Sequence, residues 1–248
     1  METILEIKNL NHAYHTMDGE TPALSHLSFT MQKGEFLSIV GPSGCGKSTL
    51  LSLISGLLKP EEGSIELHGK LMGYMLQKDH LLEWRSIYKN IVLGLEIRHL
   101  LTSETKQKVQ EYLEQYGLAD FANAKPSELS GGMRQRVALI RTLILEPDLL
   151  LLDEPFSALD YQTRLNVADD IGQIIRREKR SAILVTHDLS EAISLGDKVL
   201  VLTQRPAAIK RIIPLEFHLE EDTPLHRRNA PEFKNYFNMV WKELNENE

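Results

Sequence analysis

Residues 41–49 read GPSGCGKST, and this stretch decides the fold. It matches G-x-x-x-x-G-K-[ST], and its flanks supply the setting that pattern requires, a strand before and a helix after. Upstream, FLSIV (36–40) is a short apolar run bounded by Gly34 and Gly41, which predicts a buried strand. Downstream, Leu50, Leu53, Ile54, Leu57 and Leu58 recur at helical spacing, with Pro60 as the expected stop. Gly41, Gly44 and Gly46 allow the backbone of Pro42, Ser43 and Cys45 to wrap close around a phosphate. The following helix start adds its partial positive charge. Lys47 is then placed to reach β and γ phosphates, and the Ser48 hydroxyl, next to Thr49, to ligate Mg2+. Cys45 reads as a small filler whose backbone matters, not as a nucleophile.

Further apolar runs extend the pattern: SIEL (64–67), GYML (73–76) ending on Gln77, LLLL (149–152) ending on Asp153, AILV (182–185) before Thr186 and His187, and KVLVL (198–202). The intervening segment, about 83–127, is charged and helix-like, and Val109, Tyr112, Leu113 and Tyr116 share one face of it. Continuous apolar strands separated by helices predict an α/β fold with a parallel sheet covered on both sides. Gln77, Asp153, His187 and the glycine loop then all fall at the carboxyl ends of strands, the edge where open α/β sheets bind ligands.

That edge assigns chemistry to residues that are unremarkable alone. A lone Asp-Glu pair is ordinarily a solvated turn, but here four leucines deliver Asp153 and Glu154 to a phosphate loop. Asp153 is expected to hold Mg2+ through its water shell, leaving Glu154 to polarise an attacking water. His187 by itself is an ordinary polar strand end; in this company it is a γ-phosphate contact. Gln77 becomes a Mg2+ ligand that senses whether the γ-phosphate is present. Tyr14 has two readings, an adenine-stacking ring or a partly buried strand residue.

A second glycine pair lies in LSGGM (129–133). Ser130 is a good N-cap, and the helix it opens carries Val137, Ile140 and Ile144 and ends before Pro147. Gly131 and Gly132 in a first turn cost roughly 1 kcal/mol each against alanine, so something should offset them. A helix start stripped of side chains is an anion site. Since the chain's own phosphates are already enclosed, the economical reading is a head-to-tail pair of copies. In it the Ser130-Gly131-Gly132 turn of one copy closes over the γ-phosphate held by the other.

The gross numbers exclude several classes. With 42% hydrophobic and 25% charged residues among 248, the chain is an ordinary globular sequence with a sizeable core. A net charge of -7 argues against nucleic acid or anionic lipid as the main partner. One cysteine points to a reducing compartment, and the start METILEIKNL lacks the pattern of a signal peptide. No apolar run reaches the length of a membrane span.

With GPSGCGKST, Gln77, LSGGM, LLLLDEP, SALD (157–160) and His187 all in order, the chain resembles the nucleotide-binding subunit of an ATP-binding cassette (ABC) transporter. The resemblance covers about residues 2–215. It implies a P-loop NTPase fold with a RecA-like core sheet, an antiparallel β region, a helical subdomain inserted at about 83–140, and a C-terminal helical extension at 216–248. By this likeness ATP and Mg2+ are the cofactors and the activity is ATP hydrolysis. Tyr14 matches the adenine-stacking aromatic, Gln77 the Q-loop glutamine, His187 the switch histidine and Asp160 the D-loop aspartate at the dimer seam. Met133 departs from the usual glutamine of the signature, which removes a side-chain hydrogen bond to the ribose but spares a backbone contact to phosphate.

GPSGCGKSTLL, NIVLGLEIR (90–98), LSGGMRQRVAL and TQRPAAI (203–209) are similar to bacterial importers of the nitrate, sulfonate, taurine and pyrimidine-precursor group. That likeness implies a peripheral subunit on the cytoplasmic face of the cell membrane. Its partners would be two transmembrane permease subunits, a second copy of itself and, indirectly, an extracytoplasmic solute-binding protein. HLLEWRSIYKN (80–90) would floor the groove for a permease helix, although Leu81, Leu82, Trp84 and Ile87 fit internal packing equally well. In the tail, Phe233, Tyr236, Phe237, Val240, Trp241 and Leu244 share a helical face, expected to pack on the domain, with a dimer or regulatory contact as the alternative. The rival function is a soluble cassette ATPase of DNA maintenance. Those proteins insert long coiled coils between the halves of the site, whereas about fifty residues separate Gln77 from Leu129 here.

Overall fold

The structure, a computed structural model, describes residues 2–17 and 19–245. Two sheets form its frame. The larger is built on strands whose five residues are all buried, β3 (Phe36–Val40), β6 (Leu149–Asp153) and β7 (Ser181–Val185). It has the order β5-β6-β7-β3-β8-β9, with β5 (Met72–Met75) at one edge, then β8 (Lys198–Leu202) and β9 (Ile209–Pro214) at the other. Pairing is parallel as far as β8, and β9 runs antiparallel to it. The smaller sheet is antiparallel, order β2-β1-β4, made of two long strands, β1 (Thr3–Thr16) and β2 (Gly19–Gln32), and the shorter β4 (Glu62–Leu67).

Helices cover both faces of the larger sheet. Helix α1 (Lys47–Ile54) packs in the core shared by the two sheets, where Leu5, Leu27, Ile39, Leu50 and Leu151 are fully buried. The opposite core holds α2 (Ile87–Ile91), α3 (Leu93–Ile97), α4 (Ser103–Gln115), α5 (Gly131–Leu143) and α6 (Tyr161–Arg177), with Phe156 fully buried among them. A third core joins α7 (Leu189–Leu195) and α9 (Pro231–Asn245) to β8 and β9; α8 (Pro224–Asn229) lies between them in the chain.

Several expectations need correction. Helix α1 ends at Ile54 rather than at Pro60, because Gly56 takes the left-handed conformation (φ 76°) that closes a helix, and Leu57 is 70% exposed rather than on the apolar face. Strand β5 ends at Met75, so Leu76 and Gln77 lie beyond it in the loop. The even split over residues 80–90 also resolves: Leu81 and Ile87 are buried in the core, Leu82 is half-buried, and Trp84 is 76% exposed. In the tail, Val240 is buried and its aromatic neighbours pack on the third core, but Trp241 points out and is 56% exposed. Residues 246–248 of the expected C-terminal extension lie outside the described residues.

Candidate nucleotide and hydrolysis site

The glycine loop joins β3 to α1, and Gly46 at the helix N-cap has φ 119°, a conformation side chains rarely adopt. A Cβ there would also meet Leu24 Cδ2 at 2.9 Å and Ala23 O at 3.1 Å, so the antiparallel sheet presses the loop into shape from outside. Lys47 is 7% exposed, and its ammonium donates to the carbonyls of Gly41 (2.8 Å) and Pro42 (3.0 Å). The buried charge is thus held inside the loop's curve. Cys45 is buried, and burial pushes its thiol pKa up, which agrees with its role as an inert filler.

Ser48 Oγ donates to Asp153 Oδ1 at 3.0 Å, and Tyr74 Oη reaches Asp153 Oδ2 at 3.4 Å. Asp153 is 8% exposed, and burial raises its pKa above the usual carboxylate range. A nearly dehydrated carboxylate beside a serine hydroxyl is an all-oxygen donor set, which fits a hard divalent cation.

Glu154 is the next residue and the chain turns sharply at it. Its φ is 45°, unusual for a residue with a side chain, and its N–H donates to Val185 O at 2.8 Å across the sheet end. The turn aims its carboxylate at His187 Nδ1 (3.2 Å) and Gln77 Nε2 (3.5 Å). Gln77 also donates to Ser157 Oγ at 3.2 Å, and Ser157 Oγ donates to Glu154 O at 3.0 Å. The edge predicted from strand ends therefore gathers Lys47, Ser48, Gln77, Asp153, Glu154 and His187. Tyr14 is half-exposed on β1; its hydroxyl bonds Thr49 Oγ1 at 3.0 Å, which ties it to α1, and its ring meets that of His12 edge to face at 5.1 Å.

The second glycine turn makes its contacts elsewhere. Ser130 Oγ accepts from Met133 N at 3.3 Å and caps α5. Ser130 and Gly131 are exposed, while Gly132 is buried: a Cβ on it would meet Val167 Cγ2 at 2.9 Å and Thr163 Cγ2 at 3.2 Å on α6. Met133 packs partly buried against the helical core. Asp160 caps α6 through Thr163 N (3.1 Å) and is exposed. Arg164 holds Leu159 O (3.0 Å) and approaches Asp188 (3.7 Å), linking loop 157–160 to the residue after His187.

Two features escaped the sequence reading. Arg134 forks onto Asp79 (2.8 and 3.1 Å) and reaches Glu83 (2.9 Å), and Arg141, two turns on, donates to the carbonyls of Asp79 (2.6 Å) and His80 (2.9 Å). Helix α5 thereby grips the loop that carries Gln77. The seven-residue spacing of these arginines was the available signal, since it puts both on one face. Beneath His187, Thr186 Oγ1 donates to the buried carboxylate of Glu191 at 2.6 Å and accepts from Asp188 N at 3.0 Å; burial pushes the pKa of Glu191 up to about 7.

A family model described as ABC transporter matches residues 24–157. The chain is similar to the taurine import ATP-binding protein of Pelagibacter ubique, 41% identical over 85% of this chain and 82% of that one. It is similar to the nitrate import ATP-binding protein of Synechocystis, 38% identical over 94% of this chain and 91% of that one. Among solved structures it is similar to the dimeric post-hydrolysis state of the ATP-binding cassette MJ0796 bound to ADP and Pi, with 29% identity and a TM-score of 0.74, covering 87% of this chain and all of that one.

Proposed function

From the premise that this chain belongs to the ABC transporter family, we propose that it is the ATP-hydrolysing subunit of an importer for a small solute, working as a head-to-tail pair. The observation that carries this reading is the cluster at the sheet edge: Glu154, turned by its positive φ, shares its carboxylate with His187 and Gln77 beside the Ser48-Asp153 pair and the glycine loop. Lys47 and the loop N–H groups hold the phosphates. Glu154 orients the attacking water and accepts its proton, and His187 fixes the carboxylate and meets the γ-phosphate. Ser48, Asp153 and Gln77 would hold Mg2+, which would supply positive charge against the phosphates.

The exposed Ser130-Gly131 turn of the second copy supplies N–H groups to the γ-phosphate, and Asp160 stands at the seam. ATP favours the closed pair, and product charge reopens it. Among the described residues no helix is long and apolar enough to cross a membrane. In this reading, which follows the likeness to import ATP-binding proteins, translocation belongs to permease subunits and the chain works at the cytoplasmic face. Trp84 and Ile97, each next in sequence to one member of the Arg85-Glu96 ion pair (2.6 Å), and Leu100 are exposed apolar side chains suited to receive a permease helix. Nitrate, taurine and aliphatic sulfonates are the solutes this reading favours, after the relatives.

The test has two arms. The purified chain should release phosphate from Mg2+-ATP, and Glu154→Gln should not while still binding ATP. A strain lacking the gene should lose uptake of labelled nitrate or taurine. Rapid turnover by Glu154→Gln overturns the site assignment, and undiminished uptake of both solutes overturns their choice.

A further inference from the structure

Helix α9 ends beside the hydrolysis site. Trp241 and Asn245 line one cleft of about 400 Å³ together with Gly41 and Pro42 of the glycine loop, the imidazole of His187, and Gln204. The placement is fixed by packing. Val240 is fully buried, Tyr236 Oη accepts from Glu216 N (2.9 Å) and donates to Glu216 O (3.2 Å), and Arg211 pairs with Glu243 at 2.7 Å. Against that anchored face Trp241 is 56% exposed, its ring stacked on Phe237 at 6.4 Å and 9°. A large indole held at a set angle yet left half in water is unlike its neighbours on the same helix. It has the profile of an interface anchor.

We propose that Trp241 and Asn245 are part of the closing surface of the nucleotide-bound pair, and that the second copy seats on them. This inference rests on the paired reading above. Its support is continuity: in that reading His187 meets the γ-phosphate that the second copy's Ser130-Gly131 turn covers, and His187 shares the cleft with Trp241, so a copy that closes over that phosphate approaches the indole as well. A twofold interface is self-complementary, and each copy also exposes an aromatic side chain beside the seam in Tyr161, which follows Asp160 at the start of α6 and is 70% exposed. Helix α9 thus contributes to closure, and Trp241 is a positioning residue for the shared site, acting through the partner's approach to His187.

The two tryptophans of the chain make this measurable. In full-length Glu154→Gln, Trp84→Phe, the remaining emission comes from Trp241. Adding Mg2+-ATP should produce a dimer by sedimentation, and in that dimer Trp241 should emit further to the blue and be less quenched by acrylamide. Trp241→Gln, a change at a water-facing position, should weaken ATP-dependent dimerisation by about tenfold or more, as loss of an interface anchor does. Binding of a fluorescent ATP analogue to the monomer should stay unchanged. A dimer whose Trp241 remains as accessible as in the monomer, with Trp241→Gln dimerising equally well, overturns this inference and leaves the paired mechanism standing. Absence of any ATP-dependent dimer overturns both.

Discussion

Glu191 makes the strand end that carries His187 sensitive to pH, and the effect can be sized. Burial raises its pKa from the ordinary 4.5 to about 7, even though it accepts from Thr186, with Asp188 and Glu154 adding like charge and Arg164 opposing. A carboxyl with a raised pKa holds its proton more tightly folded than unfolded. The contribution of Glu191 to stability is therefore full below pH 4.5 and falls as pH rises toward about 7, where the folded chain must ionise a buried group. At about 1.4 kcal/mol per pH unit, that interval amounts to ~3 kcal/mol. Glu191→Gln keeps the acceptor for Thr186 and cannot ionise. Urea unfolding of both chains, followed by circular dichroism from about pH 5 to about pH 8, should show the variant gaining on the parent by ~3 kcal/mol across that range. Contributions from other groups, Asp153 among them, are common to both and cancel in the difference. A difference that stays flat with pH would mean that Glu191 is already ionised at pH 5 and that its partners offset its burial.

Other substitutions separate the parts of the site. Glu154→Gln should cut phosphate release by roughly a hundredfold or more while ATP affinity holds, since only proton acceptance is removed. Gly131→Leu should abolish hydrolysis with monomer ATP affinity intact; its Cβ meets only the flexible end of Leu159 at 2.9 Å, so the fold survives, and equal loss of both properties would place the turn in its own chain's site. Arg134→Ala leaves the carboxylate of Asp79, 17% exposed, without its fork, at a cost of about 2–4 kcal/mol in thermal or urea unfolding, and Arg134→Lys should recover only part of it.

How much was legible follows from where each strand lies. β3, β6 and β7 are buried on both faces, so their apolar runs are unbroken and could be read directly. β1 and β2 could not be, because their pairing shifts register repeatedly and positive φ values at Asn9 and His26 interrupt the two-residue alternation. The site divides in the same way. Asp153 ends a strand and Gln77, Glu154 and His187 follow strands, and strand ends are visible in one dimension. The grip of Arg134 on Asp79 joins residues 55 apart, so the arginine spacing marks a face of α5 but not its partner, and the burial of Glu191 depends on what packs over α7 and leaves no local trace.

The glycine pair at 131 and 132 shows how a correct observation can hold two causes. Two glycines in a first helical turn call for compensation, and a ligand's approach was the explanation that the sequence invited. The structure divides the pair. Gly132 is needed by the chain itself, because α5 and α6 approach so closely that even one methyl would meet Val167 Cγ2 at 2.9 Å. Its cost in helix propensity is offset internally by that packing. Gly131 faces outward beside Ser130 and meets only Leu159, so packing within the chain explains it less well. Gly132→Ala should therefore act mainly on stability and Gly131→Ala mainly on turnover. If Gly131→Ala instead lowers the unfolding midpoint as much as Gly132→Ala does, with turnover per folded molecule unchanged, both glycines serve packing and the case for a second copy at this turn is lost.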